Sequence, residues 1–256
     1  MLIDSFEYGI ISFDLVKDDL IECRAKERIP ENAKSVITVL FPYNLGEEVY
    51  KDRNISRYSV PPDYHGICMD YLLKFSEEFK KDYLSEQFEC FCDNSPIKEV
   101  KAANLCGLGA VGKNGLLINE KFGSYVFIGE IVTTAELKKT EKKIISCINC
   151  GKCVSACPTG SLKLNGDMNE TCLSALTQKK GTLAETTKLL MKKSGIIWGC
   201  DICQEVCPMN KAAKLTDIGE FKVNLVLNIS ASEPLDNRAF GWRGRKVIER
   251  NSDVLL

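Results

Sequence analysis

The sequence has a single histidine, His65, in 256 residues. A three-histidine metal site is therefore excluded. An excess of charge of one sign is also missing, because 34 basic and 35 acidic residues leave a formal net charge of -1. That excludes a globally basic nucleic-acid binder but leaves room for a local basic face. No apolar run approaches membrane-spanning length, so no membrane partner is expected. The opening Met1-Leu2-Ile3-Asp4 lacks the basic and apolar regions of a secretory leader. The expectation is a reduced, cytoplasmic setting, in which disulfides are disfavoured.

What the sequence does have is cysteine, 13 in all. The chain is organised around Cys147-x-x-Cys150-x-x-Cys153-x-x-x-Cys157-Pro158 and, further on, Cys200-x-x-Cys203-x-x-x-Cys207-Pro208. The first run has the bacterial ferredoxin spacing, in which three thiolates wrap one 4Fe-4S cubane and the fourth ligates a neighbouring cluster. Two runs imply two 4Fe-4S clusters that exchange ligands. Extending the second run backwards calls for a cysteine at position 197, where the chain has Ile197, so one of the eight ligands is missing. Cys172, alone between the runs, replaces it. The first cluster is thus assigned to Cys147, Cys150, Cys153 and Cys207, and the second to Cys157, Cys172, Cys200 and Cys203. Structural zinc also favours paired Cys-x-x-Cys, but it needs neither the third cysteine at this spacing nor the closing Cys-Pro.

With 45% hydrophobic residues the chain can bury a sizeable core. Residues 8–14 and 35–43 read as buried strands, and 17–34 as a helix as far as Pro30. After the proline-rich loop before His65, Cys68, Leu72, Phe75 and Phe79 recur at helical spacing and read as core. His65 itself reads as a cap or surface residue. Residues 88–92 read as a strand whose Cys90 and Cys92 share one buried face. Asp93 then suits the N-cap of a helix over 97–106. The glycine-rich stretch 107–115 follows a helix and precedes an expected hairpin (116–119 with 124–133), so it is no dinucleotide fingerprint. Residues 182–194 read as an amphipathic helix and 222–227 as a strand. The tail from Phe240 to Asn251 carries four basic residues around Trp242, which suits either phosphates or a solvated helix face.

Taken in order, Asp63-Tyr64-His65, Asp93-x-x-Pro96-x-x-Glu99, Gly107-Leu108-Gly109-x-x-Gly112-Lys113-Asn114, Gly129-Glu130-Ile131, the two cysteine runs, Gly199-Cys200-Asp201-x-Cys203-Gln204 and Arg250-Asn251 are similar to the epoxyqueuosine reductase family. The resemblance implies an α+β fold: a nitroreductase-like corrinoid-binding domain followed by a bacterial-ferredoxin-like double 4Fe-4S module. The expected divisions are 1–144 for the corrinoid and substrate domain, 145–212 for the cluster domain, and 213–256 for a segment packing back on the body.

The resemblance also implies cobalamin, held by Asp63, Tyr64, His65, Gly107, Gly109, Gly112, Lys113 and Asn114, and removal of an epoxide oxygen with Asp93 as general acid. The partners it implies are a low-potential electron donor such as ferredoxin or flavodoxin and the anticodon stem-loop of a tRNA. The chain departs from the family pattern at Pro61-Pro62, Val100, Leu105, Cys106 and Ala110, several of them arginine positions near the substrate. Reduction of a small molecule by a corrinoid enzyme, and a non-catalytic 4Fe-4S electron carrier, are the alternatives.

Overall fold

Two runs rich in β-branched and aromatic residues, 35–42 and 126–133, are buried along nearly their whole length and form the centre of a sheet. A computed structural model of the chain describes residues 1–141, 143–163 and 171–256. The chain divides into two units, one of residues 1–42, 65–112 and 116–147, the other of residues 43–64, 113–115 and 148–256.

In the first unit the elements are β1 (Glu7–Ser12), β2 (Ser35–Pro42), α1 (Tyr64–Lys80), β3 (Phe88–Cys92), α2 (Glu99–Leu105), β4 (Ala110–Val111), β5 (Leu117–Ile118) and β6 (Val126–Thr133). The main sheet runs β1-β2-β6-β3, antiparallel throughout. Side chains alternate between its faces. One face, with Phe41 and Gly129, lies under Leu72 and Phe75 of α1. The other, with Val36, Leu40, Phe91 and Val132, packs on Ala102 and Ala103 of α2. Burial on both faces explains why the central strands read as nearly unbroken apolar runs.

Cys68, Leu72, Phe75 and Phe79 are all buried on α1, and Cys90 and Cys92 are buried on the sheet. Residues 17–34 differ from the helical expectation and form short 3-10 turns, Lys17–Asp19 and Arg24–Arg28. The segment is held by long-range polar ties instead: Asp19 pairs with Lys98 at 2.5 Å and Lys101 at 2.7 Å, and Arg28 donates to the Cys90 carbonyl at 2.8 Å. The expected hairpin also differs, because β5 pairs back with β4 and leaves β6 to the main sheet.

In the second unit the elements are α3 (Lys152–Ala156), α4 (Leu173–Gln178), α5 (Glu185–Ser194), α6 (Ile202–Glu205) and α7 (Arg245–Leu255). Its core gathers Tyr50, Ile55, Val60, Trp198, Phe240 and Ile248, and a smaller cluster joins Leu173, Met191 and Val254 across α4, α5 and α7. Residues 222–227 are not a strand. Asn224 sits at φ 52°, which breaks the extended run, and Val226 makes a single backbone bond to Val60.

Candidate functional site

At the end of β3 the chain turns through two consecutive three-residue hydrogen bonds, Asn94 N–H to the Cys92 carbonyl and Ser95 N–H to the Asp93 carbonyl. The turn places Asp93 at φ 61°, a left-handed conformation that aspartate tolerates better than most residues. Asp93 caps no helix; Lys98 occupies the N-cap of α2. Its carboxylate Oδ2 instead meets His65 Nε2 at 3.1 Å, from the first turn of α1. The pair is accessible, with 39% of the His65 side chain and 57% of the Asp93 side chain exposed. Beside His65, Gly66 is exposed, with open space where a Cβ would point.

Two further carboxyls of the same unit are electrostatically coupled to this pair. Glu99, at the start of α2, is pushed up to about 8 by burial, with Asp93 raising it further and His65 opposing. Glu130, in the middle of β6, is fully buried, and burial and then Glu99 drive its pKa well above the ordinary value, against the nearby Ser95 hydroxyl. Such shifts mark groups that keep their protons. Both groups hold protons more tightly in the fold than in the unfolded chain. Their contribution to stability is therefore fully present below their ordinary value of 4.5 and, for Glu99, is lost as pH rises to about 8. Melting temperatures measured from pH 5 to 8 are expected to fall, and Glu99→Gln to make that fall shallower.

The second unit holds the later cysteines. α3 packs on α6. Cys200 is pushed up to about 12 by burial and also feels Asp201, Cys172 and Cys157. Cys203 is likewise pushed up to about 12 by burial and feels Cys200 and Cys172, with the Asn114 amide opposing. Cys200 is thus within electrostatic reach of Cys157, Cys172 and Cys203, and Cys203 of Cys172. Burial raises the Cys157 thiol, but the backbone N–H groups of Leu162, Thr159 and Ser161 and the Thr159 hydroxyl outweigh it and bring its pKa down. N–H donors aimed at the Cys157 sulfur suit a thiolate iron-sulfur ligand, whose potential such bonds tune, although among the described residues no three ligating side chains are yet drawn together around one metal position. Cys150, Cys153 and Cys207 lie in the same unit, while Cys147 closes the first.

The strand-like passage into Cys200 is rigidly fastened. Ile197 N–H donates to Asn54, Ser56 N–H to Trp198, and Gly199 N–H to Thr177 Oγ1 at 2.9 Å. Asp201, with 1% of its side chain exposed, accepts the Arg57 N–H at 2.8 Å and Arg53 Nη2 at 3.1 Å. Gly199 sits at φ 78°, and a Cβ there would run into Ser56 Oγ. Gly199→Ala is expected to cost about 2–4 kcal/mol from left-handed strain and overpacking. Denaturant unfolding of the purified chain checks this.

The residues expected to hold a corrinoid are divided between the two units, His65, Gly107, Gly109 and Gly112 in the first and Asp63, Tyr64, Lys113 and Asn114 in the second. Asp63 N–H donates to the Asn237 carbonyl and Tyr64 meets Tyr58 edge-on, both within the second unit. Gly107 takes φ 70° after α2, and Gly112 N–H bonds the Leu116 carbonyl. Gly109 is closed by packing, since a Cβ there would lie 2.7 Å from the Ile118 carbonyl. Lys113 is exposed, and the buried Asn114 turns to Cys203. In the tail, Arg245 bonds the Ala231 and Glu233 carbonyls, Arg250 bonds those of Thr177, Lys179 and Gly181, and Arg243 stacks on Trp242 at 3.6 Å. Arg245 and Arg250 thus close the chain on itself, while Lys246 is exposed.

Two family profiles match the chain: a 4Fe-4S double cluster binding domain over residues 146–210, and epoxyqueuosine reductase QueG, DUF1730, over residues 24–94. An epoxyqueuosine reductase of Lactococcus garvieae is 33% identical over 240 residues, covering 86% of this chain and 68% of the relative. The chain belongs to the epoxyqueuosine reductase family. It spans about two thirds of the length of the curated relatives it matches. Among solved structures of the family, an epoxyqueuosine reductase with an epoxyqueuosine-modified tyrosine tRNA stem loop is 27% identical. It superposes with a TM-score of 0.80 over 98% of this chain and 76% of that one. A Bacillus subtilis member, in a state with its aspartate catalytic loop swung out of the active site, is 25% identical with a TM-score of 0.78, over 98% and 77% of the two chains.

Sequence reasoning singled out Asp93 and His65 separately but missed their pairing, because 28 residues separate them. It quoted Glu99 and Glu130 within motifs without giving either a task. The one available signal was an acid inside the otherwise apolar strand Val126–Thr133.

Proposed function

We propose that this chain reduces the epoxide of epoxyqueuosine in tRNA to the alkene of queuosine, with electrons delivered through two 4Fe-4S clusters. The observation that carries the reading is the Asp93–His65 pair, an accessible acid with a histidine partner, in a chain of this family. Expelling an epoxide oxygen develops negative charge, and a carboxylic acid held at the departing oxygen supplies the proton it needs. Asp93 is that acid. His65 orients its carboxyl and balances the carboxylate left after proton transfer.

Cys147, Cys150, Cys153 and Cys207 hold one cluster, and Cys157, Cys172, Cys200 and Cys203 the other. A nitroreductase-like first unit holds cobalamin, with Asp63, Tyr64, His65, Gly107, Gly112 and Lys113 toward it. The corrinoid, when bound, supplies low-valent cobalt able to act on the epoxide. Gly109, whose lack of a side chain lets it pack on the Ile118 carbonyl, and Asn114, which also meets the Cys203 thiol, belong to the same set. The electron donor is a low-potential protein such as ferredoxin or flavodoxin, in the cytoplasm.

Anaerobic purification with corrinoid present tests the cofactor. A stoichiometric corrinoid spectrum is expected, and its absence after reconstitution would leave an electron carrier. A second reading, corrinoid-dependent reduction of a small molecule, is favoured by the tail arginines that close on backbone carbonyls. A gel shift with tRNA over a salt series separates the two, since phosphate contacts weaken steeply with salt. A shift at low salt is expected for the tRNA reading, and none for the other.

A further inference from the structure

The loop from Cys200 to Cys203 carries a buried acid at its second position. Asp201 Oδ2 accepts the Arg57 N–H at 2.8 Å and Arg53 Nη2 at 3.1 Å, and its Oδ1 accepts Gln204 Nε2 at 3.2 Å. A carboxyl met by three donors is held in its ionised form. Only 1% of its side chain is exposed, so water and salt screen that charge little.

The neighbouring cations do not cancel it. The Arg57 guanidinium is taken up by Glu47, through two bonds of 2.7 Å, and by Glu205 at 3.1 Å. Arg53 is shared between Asp201 and Glu205. Two cations thus meet three carboxylates, and Asp201 is far more buried than Glu205, at 35% exposed, or Glu47, at 74%. A loop that only had to be tied down would be served by a neutral side chain, without the cost of burying a charge. The loop from Cys147 to Cys153 is different, for it carries Lys152 and no acid.

Net charge beside an iron-sulfur cluster is one of the terms that set its potential, and a buried negative charge disfavours the added electron. Resting on the assignment of Cys200 and Cys203 to one cluster, we propose that Asp201, its charge kept inside the fold by Arg53 and Arg57, makes the cluster of Cys157, Cys172, Cys200 and Cys203 the lower-potential one of the two. Asp201 also raises the thiols of Cys200 and Cys203, so its charge reaches both sulfurs. It is a positioning residue that acts through the cluster. An electron held there is strongly reducing, as the reaction proposed above requires.

Redox titration of the cluster-loaded protein, followed by electron paramagnetic resonance, tests this. Two one-electron steps are expected in the wild type, and Cys172→Ser should abolish the lower one. Asp201→Asn is expected to raise the lower step by about 59 mV or more, a tenfold change in the ratio of reduced to oxidised cluster, and to leave the upper step in place. Asp201→Glu, which restores the charge, should keep the lower step low. Asn251→Ala loosens the same loop without removing a charge, since Asn251 Nδ2 bonds the Ile197 and Thr177 carbonyls at 2.8 and 2.7 Å, and should move neither step. Should Asp201→Asn fail to keep its cluster, Arg53→Gln reads the same charges in the opposite sense, and loss of the guanidinium should lower the step further. The proposal is overturned if folded Asp201→Asn leaves the lower step unmoved, if Asn251→Ala raises it as much, if Arg53→Gln does not lower it, or if Cys172→Ser abolishes the upper step instead. Failure of the cluster reading shows separately and overturns both, as a wild-type chain that takes up no iron and sulfide on reconstitution.

Discussion

Asp93→Asn is expected to lower the rate of epoxide reduction by about 10²–10⁴-fold, the span of general acid catalysis, while iron and corrinoid content stay at wild-type levels. The substitution keeps the shape and the left-handed turn, since asparagine takes φ near 60° as readily as aspartate. It removes only the group that can give a proton. His65 retains a partner in the amide oxygen, so the first turn of α1 keeps its anchor at the end of β3. Single-turnover assays with pre-reduced protein separate this loss from slow electron delivery. A variant that keeps full turnover while holding both clusters would remove Asp93 from the chemistry.

Cys172→Ser is expected to lose about half of the bound iron and acid-labile sulfide and to retain one cluster, because each cubane takes four thiolates. The assignment is demanding, for Cys172 belongs to neither cysteine run and enters only by counting ligands. The structure sets it at the N-cap of α4, within electrostatic reach of Cys200 and Cys203. Cys23→Ser, by contrast, should leave iron content unchanged, since that partly buried cysteine packs against the first unit's apolar core. Iron analysis with electron paramagnetic resonance of the reduced proteins reads both variants. Full iron content in Cys172→Ser would move the missing ligand elsewhere.

Much of this arrangement was legible in the residues because it is local. Phe88–Cys92 and the helix carrying Cys68, Leu72, Phe75 and Phe79 declare themselves through alternation and helical spacing. The cysteine frame follows from ligand arithmetic. Features that depend on distant partners were hidden. Residues 17–34 read as a helix by composition, yet Asp19 and Arg28 tie the segment to α2 and β3 as turns. The run 222–227 has strand composition, but Asn224 interrupts it and no neighbouring strand takes it up. The tail arginines looked available for phosphates because sequence does not show the carbonyls of Thr177, Lys179, Gly181, Ala231 and Glu233 that engage them. The pairing of Thr38 with Glu130 is a matter of register, and register is set by the whole sheet.

The most direct measurement of the central claim is the nucleoside content of tRNA from a strain lacking this gene, complemented with the wild-type chain or with Asp93→Asn. Restoration of queuosine by the wild type, with epoxyqueuosine accumulating in the Asp93→Asn strain, is the predicted result. Unchanged queuosine in the uncomplemented deletion strain, with no epoxyqueuosine detected, would contradict it.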